Sequence, residues 1–496
     1  MKKIISIILL FIFVSTFVLY SCTEKNSETE QDSYADPISA DTTAEIPVVP
    51  KQDFGGYEFR VLRPAAYMGG LREGIDEVFA EAENGDPIND AIYKRNMLTE
   101  DWLNVKIKSI NSGGIDWNLD AYAQKIIQAG SDEFDAVIGM MPITLIESRC
   151  LVNLYSIDSI DLSSQRWDQD MVKEMSYKKS KIYHITGDIV YYDKYSMTCM
   201  IFNKKLFIDY GFDFPYDKVK NGTWVYDEFS KLAKDFTRDV NGDGMLNQED
   251  QWGLIDNVGV VARFVGGFGN KMGGAITVDN AGVPVYQPIN EWVVNAVTRV
   301  CEHTTDKTKT LLFDTNQVTN YKGDVYEMAS DMFANNQVLF YPTMLGTVED
   351  FRNMESDFGI IPVPKYDVIQ DRYYAPVSIA WETNYSIPTT NKDVERTGSI
   401  IEAMSVFSGN TLRRAIIDVS LKVKFVRDEE SAEMLEILFD SKSHSFGLYS
   451  RGGSLYGLYC TVATKGPGTF VSEAESVIQK DEILLQNWIN IFEELE

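Results

Sequence analysis

The feature that most constrains how this chain can fold is an alternation of strand-like and helix-like segments near the start of its folded region. Residues 57–62, 105–110 and 134–138 have the patterns of strands, and helical patterns at 86–102 and 121–129 separate them. Strands that alternate with helices predict a parallel sheet covered by helices. Ligands of such sheets bind beyond the carboxyl ends of the strands. The sequence therefore predicts an α/β fold.

A second alternating region follows the first. Residues 204–210 and 226–236 have helical patterns, and residues 337–341 form an apolar run typical of a buried strand. Two long extended passages, 181–203 and 373–387, lie between the regions, and we expect no helix inside the first passage. The pattern predicts two α/β lobes joined by two extended crossings that act as a hinge.

Charge excludes several functions. The chain has 496 residues, with 46 Lys and Arg against 74 Asp and Glu, so its formal net charge is −28. Such a surface repels phosphate backbones and anionic lipid, which excludes an electrostatically driven role on nucleic acid or on a membrane surface. The same repulsion disfavours a polyanionic substrate. With 44% hydrophobic residues, the chain can bury a large core.

The N-terminus has the pattern of an export signal. Two lysines precede an apolar stretch at 4–19 that is too short to span a bilayer comfortably. Residues 19–22 resemble a bacterial lipobox, in which Cys22 would receive a diacylglycerol and anchor the chain through its acyl chains, including palmitate. We therefore expect a lipoprotein signal peptide at 1–21 and a disordered tether at 22–52. The alternative is an ordinary signal peptide with an incidental cysteine.

Four further cysteines are widely spaced. Cys150, Cys199, Cys301 and Cys460 have neither the density of a disulfide scaffold nor the spacing of metal ligands. We expect most of them to be small buried hydrophobic residues.

Several segments resemble a known family in their order along the chain. Residues 201–212, 221–229, 340–344 and 358–364 are similar to segments of the bacterial extracellular solute-binding proteins of ABC importers. Residues 421–435 are similar to a late segment of the carbohydrate-directed branch of that family. The resemblance covers about residues 54–440.

The resemblance implies a two-lobed, periplasmic-binding-protein-like α/β fold. Such a receptor closes on a carbohydrate, which we expect to be an oligosaccharide, and delivers it to a membrane permease. It implies that residues 53–188 form the first part of the first lobe and that residues 189–372 form a crossing and the second lobe. Residues 373–440 would then form a second crossing and return to the first lobe. Residues 441–496 depart from the pattern, and we expect a Gly-rich loop and a C-terminal helix there.

A calcium-binding loop is the strongest local motif. Residues 239–250 place oxygen-bearing groups at positions 1, 3, 5, 7, 9 and 12, the spacing that supplies Ca²⁺ with its oxygen ligands. Gly244 permits the sharp turn, and a strand should follow at Trp252. The alternative is a surface turn without metal. The predicted ligands are Asp239, Asn241, Asp243, the Met245 carbonyl, Asn247 and Asp250, with Asp in place of the usual Glu at position 12.

Candidate sugar ligands lie at the crossings and at strand ends. Sugar sites combine aromatic rings, which stack on apolar ring faces, with planar polar groups that bind hydroxyls. For each aromatic candidate, core packing is an equal alternative. The candidates are Trp381, Tyr67, Tyr191, Tyr192, Tyr341, Asp188 and Glu382, with Trp381 foremost.

The sequence offers little support for catalysis. The three histidines, His184, His303 and His444, have no partnered motif, and the Gly-rich segments miss the spacings of phosphate or dinucleotide loops. The leading hypothesis is a lipid-anchored carbohydrate receptor without enzymatic activity. A secreted glycoside hydrolase or lyase with a calcium loop is the alternative, and a sugar-binding adhesin or sensor without transport is the third.

Overall fold

The computed structural model describes residues 50–66, 76–269, 275–378, 380–417, 429–445 and 453–495. Tyr67, Cys22, the proposed signal peptide and nearly all of the tether lie outside them. The first lobe contains these elements in chain order: β1 (Tyr57–Arg63), α1 (Pro87–Leu103), β2 (Val105–Asn111), α2 (Leu119–Gln128), β3 (Ala136–Gly139), α3 (Ile143–Glu147) and α4 (Gln169–Met175).

The elements of the first crossing, of the second lobe and of the start of the second crossing follow. They are α5 (Tyr192–Tyr195), β4 (Thr198–Asn203), α6 (Lys204–Tyr210), α7 (Tyr216–Lys220), α8 (Tyr226–Ala233), β5 (Trp252–Asp256), α9 (Val260–Gly267), β6 (Ile276–Val278), β7 (Pro284–Tyr286), α10 (Glu291–Thr304), β8 (Thr310–Leu312), α11 (Val325–Ala334), β9 (Val338–Met344), β10 (Phe358–Ile361) and β11 (Ala375–Pro376). The chain ends with β12 (Asn384–Ser386), α12 (Val394–Asn410), α13 (Leu412–Arg414), α14 (Glu429–Asp440), β13 (Lys442–Ser443), α15 (Gly453–Lys465) and α16 (Phe470–Glu494).

Each lobe is built on its own sheet. The first sheet has the order β12-β3-β1-β2, and β1 pairs in parallel with both β2 and β3, as the alternation predicted. The second sheet has the order β10-β4-β9-β5-β8, with β5 parallel to β9 and β8. The predicted two-lobed α/β fold is confirmed.

Helix α1 shows how the sequence sets an element's limits. The Asp86 carboxylate accepts hydrogen bonds from the amides of Ile88 and Asn89, and Pro87 occupies the first helical position. Asn104 ends the helix in the left-handed conformation. The buried Ile88 and Ile92 lie on the inner face, and the helix starts where the sequence pattern predicted it.

Three apolar cores stabilise the lobes. One surrounds the first sheet and includes Phe59, Val61, Ile107 and Trp167. A second core lies in the second lobe around Trp224 and Phe229. A third surrounds Trp252 and Tyr341 and continues through the tyrosines of the first crossing to Ile88 and Ile92 of α1 in the first lobe. The tryptophans at 224 and 252 are fully buried, in agreement with a structural role.

The first crossing differs from the prediction. It was expected to be extended throughout, but Tyr192–Tyr195 form one helical turn. This turn packs the Tyr191 ring against the rings of Tyr192 and Tyr195, with centroids 4.8 and 4.5 Å away. Burial of these rings overrides the local preference for extended backbone.

The return to the first lobe is also shorter than predicted. Helix α12 packs on α1 of the first lobe, and α13 also contacts α1, but α14 packs on β10 and α7 of the second lobe. The prediction of 373–440 as a return to the first lobe is therefore wrong for residues 429–440. The amphipathic pattern of a helix predicts that it packs on a lobe but not on which of the two lobes.

The Gly-rich part of the tail contains an additional helix. Residues 453–465 form α15, although we expected a Gly-rich loop before the C-terminal helix of 441–496. Leu455, Leu458, Tyr459 and Val462 recur at helical spacing and are buried against the second lobe. This apolar stripe outweighs the low helix propensity of Gly453 and Gly457.

Two further findings concern the described residues. The four cysteines at 150, 199, 301 and 460 are unpaired thiols, and the first three are buried as predicted. Over the same ranges, every helix is too short or too polar to cross a bilayer.

Candidate functional site

The crossings meet both sheets at the carboxyl ends of their parallel strands. Strand β4 begins at Thr198, opposite Met344 at the end of β9, and β12 begins at Asn384, opposite Gly139 at the end of β3. The two carboxyl edges therefore lie at the same junction between the lobes. This is the position where sheets of this kind bind ligands.

A cavity of about 170 Å³ lies beside this junction, and we call it the interlobe pocket. Its first-lobe wall is α4, and its second-lobe wall is formed by α9, α15 and the start of the β6–β7 hairpin. Backbone of the second crossing and of β13 lies between them. The lining residues used below are Asp170, Lys173 and Glu174 from α4, Ala262, Val265, Leu455 and Tyr459 from the second lobe, and Arg372, Tyr374, Ser443 and His444 from the connecting segments.

The charged groups of the pocket are paired with each other. The Arg372 guanidinium lies 3.5 Å from Asp170 Oδ1, donates to the Asp440 carbonyl at 2.7 Å, and lies 4.5 Å from the centre of the Tyr374 ring. The backbone amide of His444 donates to Asp170 Oδ2 at 2.7 Å. Paired groups next to apolar walls offer hydrogen bonds to a neutral polar solute without an excess of charge.

Behind the pocket lies a buried ionic cluster around Lys442. Its Nζ lies 2.8 Å from Asp168 Oδ2 and 2.8 Å from Glu382 Oε1, and it also contacts Asp193. The His444 Nε2 lies 3.0 Å from Glu382 Oε1. Because these five residues come from α4, both crossings and β13, the cluster ties together the segments that connect the lobes.

The cluster shifts the pKa values of its members. Burial opposes ionisation of Glu382, but the charges of Lys442 and His444 outweigh it and lower the pKa of Glu382 to about 2. Burial likewise opposes the charge on His444, while Glu382 and Asp168 raise its pKa to about 10. Lys442 also has a raised pKa because three carboxylates offset its burial. These shifts favour the charged forms of Glu382, Lys442 and His444 at neutral pH.

The structure places the predicted crossing tyrosines inside the hinge. Tyr191 and Tyr192 are buried, and their backbone amides donate to Glu77 Oε1 at 2.8 and 3.2 Å. The Thr383 hydroxyl of the second crossing donates to the same oxygen at 3.1 Å. Glu77 thus joins both crossings, and the two tyrosines contribute packing there rather than an exposed face.

Asp188 and Glu382 are also enclosed by protein. Asp188 lies 3.4 Å from Arg166 and 3.3 Å from Arg413, and its burial raises its pKa to about 6 against these cations. Glu382 is fully buried in the ionic cluster. Trp381 is partly exposed in the second crossing, where its amide donates to the Ser378 carbonyl at 3.0 Å. None of these three residues lines the interlobe pocket, although Glu382 reaches its wall through His444.

Tyr341 lies behind the carboxyl edge of the second sheet. It is buried next to Arg263, which pairs with the fully buried Asp256. In front of them stand Tyr326 and Tyr456, which are 53% and 50% exposed. This edge therefore presents two accessible tyrosines near paired polar groups, and Phe313 packs between Tyr326 and the buried Tyr341.

The predicted calcium loop has a compact turn structure. Asp239 Oδ1 and Oδ2 accept from the amides of Gly242 and Gly244 at 2.6 and 2.8 Å, and both glycines have positive φ. Asp250 is fully buried and accepts from Val240 and Asn247. In the described part of the chain, no group of three or more His, Cys, Asp or Glu residues is arranged as a metal cage.

The loop's chemistry nevertheless suits a hard cation. Each carboxylate oxygen has a second lone pair after it accepts an amide, and the loop concentrates oxygen donors with three carboxylates among its six predicted ligands. Met245 has an exposed side chain, as expected of a residue that would bind through its carbonyl.

Sequence reasoning missed the residues that line the interlobe pocket. Arg372 stands directly before the second crossing and Tyr374 lies at its start, and this position was the available signal. Ser443 and His444 had no such signal, because the parallel pairing of β13 with β11, 67 residues earlier in the chain, brings them to the pocket. Asp170 comes from a helix of seven residues whose role depends entirely on its partners.

Several solved structures with a similar fold are proteins in complex with carbohydrates. No protein-family model and no curated protein sequence matches this chain. The lacto-N-biose complex of the galacto-N-biose-/lacto-N-biose I-binding protein of the ABC transporter from Bifidobacterium longum is 9% identical and covers 89% of this chain and 98% of its own, with a TM-score of 0.54.

Two further solved structures with a similar fold are also complexes with carbohydrates. The extracellular solute-binding protein from Staphylococcus aureus in complex with maltose is 12% identical and covers 86% of this chain and 98% of its own, with a TM-score of 0.54. An ABC substrate-binding protein from Listeria monocytogenes in complex with cycloalternan is 14% identical and covers 87% and 99%, with a TM-score of 0.53. At these identities the likeness concerns the fold, and it confirms the two-lobed architecture that the sequence resemblance implied.

Proposed function

From the two-lobed fold that this chain shares with carbohydrate-binding ABC solute-binding proteins, we propose that it is an extracellular receptor that binds a neutral sugar in the interlobe pocket and delivers it to an importer permease. The observation that carries this proposal is the pocket's construction from both lobes. A solute there contacts α4 on one side and α9 and α15 on the other. Its binding energy therefore acts directly on the arrangement of the lobes.

The lining favours a neutral, hydroxyl-rich solute. Arg372 and Asp170 are paired, so neither contributes an unbalanced charge, and both can bind hydroxyls with charge-assisted hydrogen bonds. Tyr374 and Tyr459 add aromatic surface beside the apolar Val265 and Leu455. A sugar, with apolar ring faces and a rim of hydroxyls, matches this combination.

The pocket volume bears on ligand size. Typical small-molecule pockets measure roughly 300 to 1,000 Å³, and the interlobe pocket measures about 170 Å³. In this arrangement of the lobes it accommodates a single small ring. An oligosaccharide would extend beyond it or require more widely separated lobes.

A thermal-shift screen against neutral and acidic mono- and oligosaccharides tests the proposal. A ligand at a hundred times its Kd should stabilise the folded chain by about 2.7 kcal/mol. We expect at least one neutral sugar to raise Tm and the acidic sugars to leave it unchanged. Release of reducing ends from the bound sugar would contradict a receptor and favour the hydrolase or lyase instead. Absence of any shift across the panel would contradict sugar binding.

We extend the proposal to membrane attachment through Cys22. A lipid on this residue and the polar segment after it would keep the folded lobes near the permease. In cells supplied with radiolabelled palmitate, the chain should be labelled and fractionate with membranes. The Cys22→Ser variant should lose the label and appear in the soluble extracytoplasmic fraction. Equal labelling of both would contradict the assignment.

We also propose that residues 239–250 hold a structural Ca²⁺. The support is the spacing of the oxygen donors together with the tight turn around Asp239. The ion would supply positive charge where three carboxylates meet. Its role would be to stabilise this part of the second lobe rather than to contact the sugar.

A further inference from the structure

Helix α16 joins the two lobes. Its start belongs to the second lobe, where Phe470 and Ala474 are buried in the core. Its end belongs to the first lobe, where Trp488 and Phe492 are buried. The 25 residues span about 37 Å at 1.5 Å per residue. The helix is therefore fixed at one end to each lobe, and a hinge motion would move the two lobes relative to each other.

The first-lobe end of α16 is held by one turn, residues 177–181. The Lys181 Nζ donates to the Phe492 carbonyl at 2.8 Å, and the Tyr177 hydroxyl donates to Glu493 Oε1 at 2.5 Å. The rings of Tyr177 and Phe492 pack with centroids 5.3 Å apart. The turn directly follows α4, the first-lobe wall of the interlobe pocket.

The β6–β7 hairpin reaches the same turn from the second lobe. The Gly282 carbonyl at its tip accepts from the Lys178 amide at 2.9 Å, and Ile276 is buried in the first-lobe core. The Tyr286 hydroxyl donates to Asp481 Oδ2 at 2.8 Å, which ties the hairpin to α16. Ile276, Thr277 and Val278 line the pocket. Hairpin and helix together form a wall that rests on the 177–181 turn.

The contact at the hairpin tip leaves no room for a side chain. Gly282 has φ +80°, and a Cβ there would lie 2.9 Å from both Cα and N of Lys178. Lys178 and Lys179 themselves have φ of 48° and 55°. Left-handed conformations are costly for residues with a Cβ and persist only where the surroundings impose them. The docked hairpin is therefore a specific backbone-to-backbone fit.

We propose that the β6–β7 hairpin and α16 form a clasp on the 177–181 turn, and that this clasp controls access of solutes to the interlobe pocket. The proposal adds a regulatory element to the receptor function proposed above and rests on it only for the identity of the solute. While the clasp is docked, the hairpin closes one side of the pocket and α16 resists separation of the lobes. Undocking at Gly282 and at the end of α16 opens both.

The test measures pocket access in the full chain without any sugar. Ser443→Cys places a thiol on the pocket lining, and iodoacetamide serves as the small probe. This substitution is combined with Gly282→Ala, which obstructs docking. The control combines it with Gly56→Ala, because Gly56 has a similar φ of +77° but nothing within 4 Å of its added Cβ. Labelling of the parent chain gives the background of the native thiols.

We expect the thiol to react at least tenfold faster with Gly282→Ala than with Gly56→Ala. Hydrogen exchange at Lys178 and at 488–495 should accelerate in parallel, while exchange in β9 stays unchanged. Equal labelling rates in the two variants would overturn the clasp. Because no sugar is added, this result stands whether or not the sugar screen succeeds.

A second variant covers the case in which Gly282→Ala does not fold. Lys181→Met keeps the backbone and the aliphatic stem but removes the hydrogen bonds that hold the end of α16. Combined with Ser443→Cys, it should react several times faster than the single Ser443→Cys variant. An unchanged rate with Lys181→Met would overturn the proposal by itself.

Discussion

At the scale of single residues, the interlobe pocket depends on the pairing of Arg372 with Asp170. This guanidinium also stacks on Tyr374 and is about one-third exposed, so it can reach a solute without leaving its partners. Its planar guanidinium offers several N–H donors to the hydroxyls of a bound sugar.

Arg372→Met should weaken binding of the sugar identified in the screen. Hydrogen bonds to charged groups contribute about 1.5 to 3 kcal/mol, so we expect Kd to rise by roughly 10- to 150-fold in calorimetric titrations. The matched control is Arg299→Met. Arg299 lies 4.6 Å from the centre of the Tyr366 ring and 2.7 Å from Asp227, but it does not line the pocket. Equal Kd values for both variants would exclude Arg372 from the site.

The three histidines should differ in charge at pH 7.5. Burial lowers the pKa of His184 and of His303 to about 4, whereas the carboxylates around His444 raise its pKa to about 10. Imidazole ¹⁵N shifts should therefore show one charged and two neutral rings. A neutral His444 at this pH would contradict the ionised cluster.

The same shift predicts a pH dependence of stability. A histidine with a raised folded pKa contributes fully below its unfolded pKa of about 6.5, and its contribution is lost as pH rises through the folded value. The difference in free energy of unfolding between the wild type and His444→Gln should be constant below pH 6.5 and shrink towards pH 10. Chemical denaturation at several pH values measures it, and a difference that grows with pH would contradict the sign.

At the scale of elements, local chemistry predicted the regular parts of the fold well. The strands β1 and β2, the capped start of α1 and the whole of α6 follow from short-range patterns. The turn Tyr192–Tyr195, the lobe assignment of α14 and helix α15 do not, because burial against distant residues decides them. The pocket shares this limit. His444 and Ser443 reach it through pairing between β11 and β13, which no local pattern encodes.

The calcium loop is the element whose stability should depend on an ion. Ca²⁺ should raise Tm relative to chelator, and Asp239→Asn should abolish that increase because it removes a charged ligand while keeping one of the two oxygens that accept from the loop amides. The control is Asp367→Asn, which affects a similar turn, where Asp367 accepts from Ile369 and Gln370. Differential scanning fluorimetry with and without chelator suffices. A Tm that is independent of Ca²⁺ in the wild type would contradict a structural Ca²⁺ at residues 239–250.

At the scale of the whole molecule, the connections between the lobes limit how a solute can act. Glu77 pins both crossings, the Lys442 cluster joins α4 to the crossings and β13, and α16 with its hairpin bridges the lobes beside the pocket. These contacts hold the segments between the lobes firmly. Under the proposed function, solute binding would change the balance between docked and undocked arrangements of the lobes.

Whether one solute bridges both lobes is tested by a hydrogen-exchange footprint of the sugar that gives the largest rise in Tm. We expect simultaneous protection of 170–175 in the first lobe and of 260–267 and 455–459 in the second, since one solute contacts both walls of the interlobe pocket. Protection confined to one lobe, or lying at a surface away from these segments, would contradict it.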